Sequence, residues 1–258
     1  MREFFKDESS KLYLADSLEL LKDFPYEVDV IFADPPYFLS NDGITCKSGK
    51  AASVNKGKWD KIATLDDKHK FNRQWISLCK KILKPNGTIW ISGTLHNIYT
   101  VGMALEQEDF KIMNNITWQK TNPPPNLSCK YFTHSTETIL WAKKNSAIKH
   151  FFNYELMKEL NGGKQMKDVW SGALTPQREK IFGKHPTQKP LYLLEKIILA
   201  STREGDLILD PFCGSGTTGV ACKLLHRKFI GIDNDRDFIA LAKERLMRVD
   251  EQNFRGLA

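Results

Sequence analysis

Seven short apolar runs, most of them bounded by turn residues, predict the strands of a sheet. They are Leu12–Ala15, Val28–Ala33, Thr88–Ser92, Asn115–Gln119, Glu137–Ala142, Leu207–Asp210 and Lys228–Asp233. Several of these runs are continuously apolar rather than alternating, which is typical of strands that are covered on both faces.

Amphipathic stretches between the strands predict helices. They are Ser17–Lys22, His69–Leu83, Ile98–Gln107, Pro190–Ser201, Thr217–Leu225 and Asp235–Val249. The second of them is followed by Lys84–Gly87, which contains proline and glycine and predicts a turn. This alternation of strands and helices predicts one α/β domain with a doubly wound, mostly parallel, seven-stranded sheet.

The chain has 258 residues, enough to bury a large core without disulfides or metals. No apolar run approaches the ~20 residues that span a bilayer, and the charged N-terminus is unlike a secretory signal, so we expect a cytoplasmic location. The five cysteines form no CxxC pair, which indicates reduced thiols and no metal site.

The net charge of +7 becomes informative through its distribution. Gly43–Lys61 holds five lysines and one acid, and Lys143–Lys189 holds ten basic and four acidic residues. Both stretches predict surface loops that could bind a polyanion, although a merely solvated basic surface is the alternative.

A strand that ends at Asp34-Pro35-Pro36-Tyr37 is the first candidate for chemistry. The prolines have no N–H group and a fixed φ, so the carbonyls of this turn are held rigidly. One short turn therefore offers a carboxylate, a backbone carbonyl and an aromatic ring, a set that suits an amino group on a flat ring. An ordinary proline-rich turn is the alternative.

A second candidate is the strand–loop–helix stretch Leu207–Gly219, whose loop reads G-x-G-x-x-G. Such a loop brings backbone close to a ligand, and Asp233 ends the next strand, where a carboxylate can accept bonds from ribose hydroxyls. Asp210 directly precedes the loop and would repel a pyrophosphate. This favours the sulfonium S-adenosylmethionine over NAD, with a structural glycine turn as the alternative. Asp16 and Ser17 end the first strand similarly; they either reach the cofactor or cap the next helix.

With both motifs in view, the chain resembles the β-class of amino-methyltransferases acting on DNA, in which a D/S/N-P-P-Y/F motif precedes the F-x-G-x-G cofactor motif. Lys184–Pro190 is similar to the family's stretch before that second motif. Four further segments resemble the DpnA-type adenine methyltransferases of GATC restriction systems: 32–40, 90–98, 115–122 and 133–141. The resemblance implies a Rossmann-like methyltransferase fold and methylation of adenine N6 within GATC, in double-stranded and also in single-stranded DNA. Relatives of this class are often homodimers.

The resemblance also implies site residues. The catalytic residues would be Asp34, Pro35, Pro36 and Tyr37, with Tyr37 and Phe38 stacking on a base that has left the duplex. The cofactor residues would be Asp16, Ser17, Asp34, His185, Thr187, Lys189, Asp210, Phe212, Gly214, Ser215, Gly216, Thr217, Thr218, Asp233 and Asn234. A target-recognition insertion is expected around residues 143–184. His96, His134 and His185 are interpreted as structural hydrogen-bonding residues.

Several other functions fit the same residues. N4-cytosine methylation uses nearly identical chemistry, although Asp at position 34 favours adenine. An RNA or a protein glutamine amide could also enter the Asp34 turn. A DNA-binding module without catalysis and an NAD-dependent enzyme are the remaining alternatives.

Overall fold

The computed structural model describes residues 3–38 and 64–249, together with the backbone of two paired strands between them, β4 (Ile44–Lys47) and β5 (Lys50–Ser53). Most of the first basic stretch, Gly43–Lys61, lies outside the described residues. Within the part that is described, no helix has the length and apolar character needed to cross a membrane.

The main sheet of the described residues has nine strands in the order β1-β2-β11-β10-β3-β6-β8-β7-β9. Its strands are β1 (Phe5–Lys6), β2 (Ser10–Leu14), β3 (Val28–Ala33), β6 (Leu83–Gly93), β7 (Lys111–Lys120), β8 (Thr136–Lys143), β9 (Val169–Gly172), β10 (Leu207–Asp210) and β11 (Lys228–Asp233). β2, β11, β10, β3 and β6 run parallel, and β8 pairs antiparallel with β6 and β7. The fold class and all seven predicted strands are confirmed. The sequence prediction missed β1 and β9, two short strands at the sheet edges.

The helices are α1 (Ser17–Leu20), α2 (Leu65–Ile82), α3 (Ile98–Gln107), α4 (Tyr154–Leu160), α5 (Leu191–Ser201), α6 (Thr217–Leu224) and α7 (Arg236–Met247). α2 begins one turn earlier than predicted because the Thr64 hydroxyl accepts a hydrogen bond from the Asp67 N–H and caps it. The predicted turn at Lys84–Gly87 belongs instead to β6. These residues have no counterpart in β3, since Val28 pairs with Leu83 and Val30 with Thr88. Six of these seven helices were predicted, and α4 was not.

Two hydrophobic clusters cover the two faces of the sheet. Val30 and Phe32 of β3 point to the cluster that α5, α6 and α7 cover. Ile31 and Ala33 point to the other, which α2 and α3 cover. A continuously apolar strand such as β3 is therefore buried on both faces.

The strand order determines where the two sequence motifs meet. β10 lies beside β3, with Ile208 paired to Val30, so the strand ends that carry Asp34 and Asp210 are neighbours. Ligand sites of open α/β sheets form at the carboxyl ends of such strands.

Candidate active site

A cavity of about 270 Å³ lies at the carboxyl ends of β2, β3, β10 and β11. All but one of the residues predicted to be catalytic or cofactor-binding line it: Asp16, Ser17, Asp34, Pro35, Pro36, Tyr37, His185, Thr187, Lys189, Asp210, Phe212, Gly214, Ser215, Thr217, Thr218, Asp233 and Asn234. The exception is Gly216, which does not line the cavity but begins α6. The structure therefore brings the two motifs into one site.

The glycine loop requires glycine at two positions. Gly214 and Gly216 have φ values of +48° and +71°, which disfavour other residues. A Cβ on Gly214 would lie 3.0 Å from Nε2 of His185, and one on Gly216 would lie 2.8 Å from Cβ of Ala242. The tight loop thus leaves the cavity open for a ligand.

The Asp233 and Asp210 carboxylates are held by neutral donors. Asp233 accepts hydrogen bonds from the N–H groups of Gly214 (2.8 Å) and Asp235 (2.9 Å). Asp210 accepts them from the N–H of Phe212 (3.1 Å) and the hydroxyl of Thr218. Burial raises the pKa of both carboxyls, that of Asp210 to about 7. Among the described residues neither carboxylate forms an ion pair with a cationic side chain, although Asp210 is only 2% exposed.

The composition of the cavity fits S-adenosylmethionine. Its lining includes five aspartates and one lysine, so the potential favours a sulfonium and an ammonium and disfavours a pyrophosphate. Phe212 and Phe238 add apolar walls that suit a purine ring.

The first strand end combines both interpretations of its sequence. The Asp16 carboxylate accepts hydrogen bonds from the N–H groups of Leu18 (2.8 Å) and Glu19 (3.2 Å), so it caps α1 while lining the cavity. The Ser17 hydroxyl donates to the carbonyl of Pro211, which fixes the start of the glycine loop.

The turn after β3 is fixed by side-chain hydrogen bonds. The Tyr37 hydroxyl donates to Oδ1 of Asp34, and Nδ2 of Asn97 donates to the carbonyl of Pro36 (3.3 Å). Phe38 is buried and packs edge-on against Phe71, with ring centroids 5.6 Å apart. The Phe38 ring thus belongs to the packing of the fold, whereas Tyr37 lines the cavity.

Lys189, a predicted cofactor residue, lines the cavity beside the catalytic turn. Its ammonium is 2.6 Å from Oδ2 of Asp34, 2.6 Å from the Tyr37 hydroxyl and 3.4 Å from Oε2 of Glu137. Nζ of Lys120 in turn lies 2.7 Å from Oε1 of Glu137. We call this row of buried charged residues the Lys189 cluster; its members are Lys120, Glu137, Lys189 and Asp34. Their four charges sum to zero. The contacts of Lys189 are thus with the catalytic turn.

The pKa values follow from this arrangement. Burial alone would lower the pKa of Lys189, but the carboxylates of Asp34 and Glu137 outweigh it and raise that pKa well above its ordinary value. Burial likewise opposes ionisation of Glu137, yet the ammonium groups of Lys189 and Lys120 hold its pKa below the usual range. The charged forms of Lys189 and Glu137 are therefore the stable ones at neutral pH.

Sequence reasoning missed Lys120, Glu137, Asn97 and Arg245. Charged residues at the ends of two predicted strands were the available signal for Lys120 and Glu137. Arg245 of α7 is 1% exposed and donates to the Ser215 carbonyl (2.7 Å) and to the Thr217 hydroxyl (2.9 Å). Arg245 thus holds the glycine loop in place. The hydrophobic periodicity of α7 does not indicate this contact.

The second basic stretch is split by the fold. Lys143 pairs with Thr88 of β6 and with Lys111 of β7, so it lies at the sheet edge opposite Asp34. Lys189, at the other end of the stretch, is buried in the site. Lys189 is therefore not part of a surface loop, and phosphate binding by the rest of the stretch stays a prediction.

Comparison with known proteins gives consistent results. The family model described as DNA methylase, of the N6 and N4 methyltransferases, matches residues 28–244. The chain is 68% identical to the Type II methyltransferase M2.DpnII of Streptococcus pneumoniae, over 89% of this chain and 86% of that protein. It is 65% identical to M2.LlaDCHI of Lactococcus lactis subsp. cremoris, over 94% and 91% of the two chains.

Solved structures show the same relationship. The M1.HpyAVI–SAM complex matches with a TM-score of 0.70 and 33% identity, over 92% of this chain and 98% of that one. The cytosine-N4-specific PvuII DNA methyltransferase has a TM-score of 0.71 at 18% identity, over 97% and 95% of the chains, and shares the fold. The chain thus belongs to the N6/N4 family of DNA methylases and is an S-adenosylmethionine-dependent DNA methyltransferase.

Proposed function

We propose that this enzyme methylates adenine N6 in DNA, within GATC, and accepts single-stranded as well as double-stranded substrates. One observation carries the choice of site. The Asp34 turn and the glycine loop line the same cavity, because β3 and β10 are neighbours in the sheet. An amine bound to the turn would therefore lie beside the cofactor.

The chemistry follows from the groups at the turn. Adenine N6 is a poor nucleophile because its lone pair is delocalised into the ring. If the Asp34 carboxylate and the Pro35 carbonyl each accept one N–H bond, positive charge that develops on N6 is stabilised by groups already aimed at it. S-adenosylmethionine, when bound, supplies an electrophilic methyl group. Most of the remaining rate enhancement would come from holding N6 in line with that group, and the N6 proton then leaves to water.

The Lys189 cluster leaves room for this role. Asp34 accepts one bond from Tyr37 at Oδ1 and one from Lys189 at Oδ2. A carboxylate has about four acceptor positions, so N6 can donate without displacing either partner. We infer that Lys189 positions Asp34 and acts on the cofactor only indirectly, which revises its predicted role as a cofactor-binding residue.

The choice of adenine depends on residues rather than on the fold. The fold also occurs in the cytosine-N4-specific PvuII enzyme, so it is compatible with both bases. The aspartate at position 34 and the resemblance to GATC adenine methyltransferases support adenine. We propose that residues 143–184, which contribute α4 and β9, form a target-recognition insertion in a single domain. A homodimer and a cytoplasmic location stay predictions.

Product analysis tests the proposal. DNA treated with the enzyme and cofactor is digested to nucleosides and analysed by mass spectrometry, and modified-base sequencing then locates the methyl groups. We expect N6-methyladenine in GATC, in duplex and single-stranded substrates, and none with Asp34→Ala. N4-methylcytosine without N6-methyladenine would refute the assignment of the base, and methyladenine outside GATC would refute only the target sequence.

A further inference from the structure

The loop between β7 and β8, residues 121–135, lies at the catalytic edge of the sheet. Gln119 pairs with Thr136 at its base, and Thr138 pairs with Gly93 at the carboxyl end of β6. β6 itself pairs with β3, which ends immediately before Asp34. The loop therefore emerges beside the catalytic turn.

This loop exposes aromatic side chains among basic residues. Phe132 is 96% exposed and Tyr131 is 60% exposed. Between Lys120 and Thr136 the sequence contains no aspartate or glutamate, while Lys130 is basic. A bare phenyl ring costs free energy in water, and a surface without acids accepts a polyanion. Together these features fit nucleic-acid bases more closely than an apolar protein partner.

The loop holds its aromatic residues in place. Nδ2 of Asn126 donates to the Tyr131 carbonyl (2.6 Å), and Oδ1 of Asn126 accepts from the N–H of Ser128 (3.1 Å). At the end of β7, the Lys120 N–H donates to the Ser135 carbonyl (2.7 Å). Three consecutive prolines at 123–125 restrict the remaining backbone. Phe132 is thus presented on a constrained support.

Contacts connect the loop to the target side of the site. The rings of Tyr131 and His134 lie 5.3 Å apart, and those of His134 and His96 lie 6.4 Å apart. The residue after His96 is Asn97, which donates to the Pro36 carbonyl. At the other end of the loop, Glu137 belongs to the Lys189 cluster. A strand of DNA with its adenine at Asp34 would therefore pass along this loop.

We propose that Phe132, supported by Tyr131, enters the base stack of double-stranded DNA beside the target adenine and stabilises the opened duplex. The proposal rests on the proposed function, because it assumes that adenine leaves the helix to reach Asp34. An apolar wedge between base steps is a recognised means of holding a duplex open. An adenine that is mismatched costs less to extrude, so it should depend less on the wedge.

The test compares two duplexes that differ at one position. The target adenine lies opposite thymine in the matched duplex and opposite cytosine in the mismatched one. We expect Phe132→Ala to lower kcat/KM at least about fivefold on the matched duplex and less than about threefold on the mismatched one, since a base–aromatic stack contributes about five- to 150-fold. Phe132→Trp should restore activity on the matched duplex. Met247→Ala is the control: Met247 is an apolar residue that is 55% exposed at the end of α7, and we expect no change on either duplex.

A second readout separates the wedge from a general loss of binding. With 2-aminopurine in place of the target adenine, fluorescence should rise on binding of the wild type and remain low with Phe132→Ala at saturating enzyme. Equal losses of kcat/KM on both duplexes, no loss on either, or the same fluorescence rise would each overturn the wedge. If the wild type methylates no adenine in either duplex, the proposed function fails instead.

Discussion

Replacing Lys189 by methionine tests how the catalytic turn is held. The ammonium of Lys189 contacts two carboxylates, Asp34 at 2.6 Å and Glu137 at 3.4 Å, and is only 7% exposed. Methionine fills a similar volume without charge. The substitution leaves both carboxylates buried, with only Lys120 to compensate Glu137. We therefore expect a loss of stability together with a loss of turnover.

The magnitude follows from burial rather than from the number of ion pairs. At an effective dielectric constant of about 20, two charges about 4 Å apart attract by about 4 kcal/mol. Desolvation offsets much of that gain in the intact cluster, but breaking a buried pair costs about 3–5 kcal/mol because a charge is left without its partner. For a chain of this size we expect a fall in Tm of roughly 10 °C.

The direction in which the Tm difference changes with pH follows from the pKa of Glu137. The folded pKa of Glu137 is lowered, so its contribution to stability is present at neutral pH and is lost as the pH falls through that pKa. The difference in Tm between wild type and Lys189→Met should be largest at pH 7–8 and should shrink as the pH falls towards about 4.

Calorimetry over this pH range measures the effect, and methyl transfer at each pH gives the activity. Lys189→Arg, which keeps the charge, should lose less than the methionine variant. Lys196→Met is the matched control. It makes the same substitution outside the Lys189 cluster, at a lysine whose ammonium lies over the Trp170 ring, 5.1 Å from its centroid. The reasoning is refuted if Lys189→Met melts within about 2 °C of wild type at pH 7.5 and keeps its turnover.

Two further predictions address the rest of the site, and a third addresses a buried glutamate outside it. Asp34→Ala should abolish methyl transfer while isothermal titration shows nearly unchanged cofactor affinity, and Asp233→Ala should weaken that affinity first; the opposite pattern would exchange their roles. Burial holds the pKa of Asp210 at about 7, so cofactor affinity should rise about tenfold from pH 6 to pH 8, and Asp210→Asn should remove this dependence. Burial next to Glu179 raises the pKa of Glu195 to about 7, so the folded state loses stability as the pH rises from about 4.5 to 7. Glu195→Gln should then stabilise the protein by up to about 3 kcal/mol at pH 8 and very little at pH 4.5, as urea unfolding would measure.

Local patterns were sufficient to predict the central sheet and both strand-end motifs. Mostly apolar runs located β3 and β10 because burial on both faces leaves few polar positions in such strands. Asp34 and Asp210 follow or end those runs, and the rule for carboxyl ends of parallel strands placed them in one site. The edge strands were missed for the same physical reason: β9 has a single buried residue, Trp170, and gives no continuous apolar signal.

The Lys189 cluster could not be predicted, because it joins residues from four separate parts of the chain. Lys120 and Glu137 come from neighbouring strands, Asp34 from a turn and Lys189 from the segment before α5. Asp34 and Lys189 were predicted site residues, but Lys120 and Glu137 resemble ordinary surface charges in the sequence. Only the antiparallel pairing of β7 with β8 and the approach of the last segment show that these charges compensate one another.

The two halves of the cavity differ in how their carboxylates are balanced, and the difference follows from what each half binds. Asp34 is neutralised internally by the ammonium of Lys189. Asp210 and Asp233 are held by backbone N–H groups and a hydroxyl, which bring no net charge. A cationic cofactor therefore completes the charge balance of the second half, whereas the first half is balanced before an uncharged target base arrives. If the two environments were exchanged, the cationic cofactor would face a carboxylate that is already neutralised, and the neutral base would face carboxylates without a cationic partner. The observed distribution of charge therefore fits a cationic methyl donor that faces a neutral acceptor.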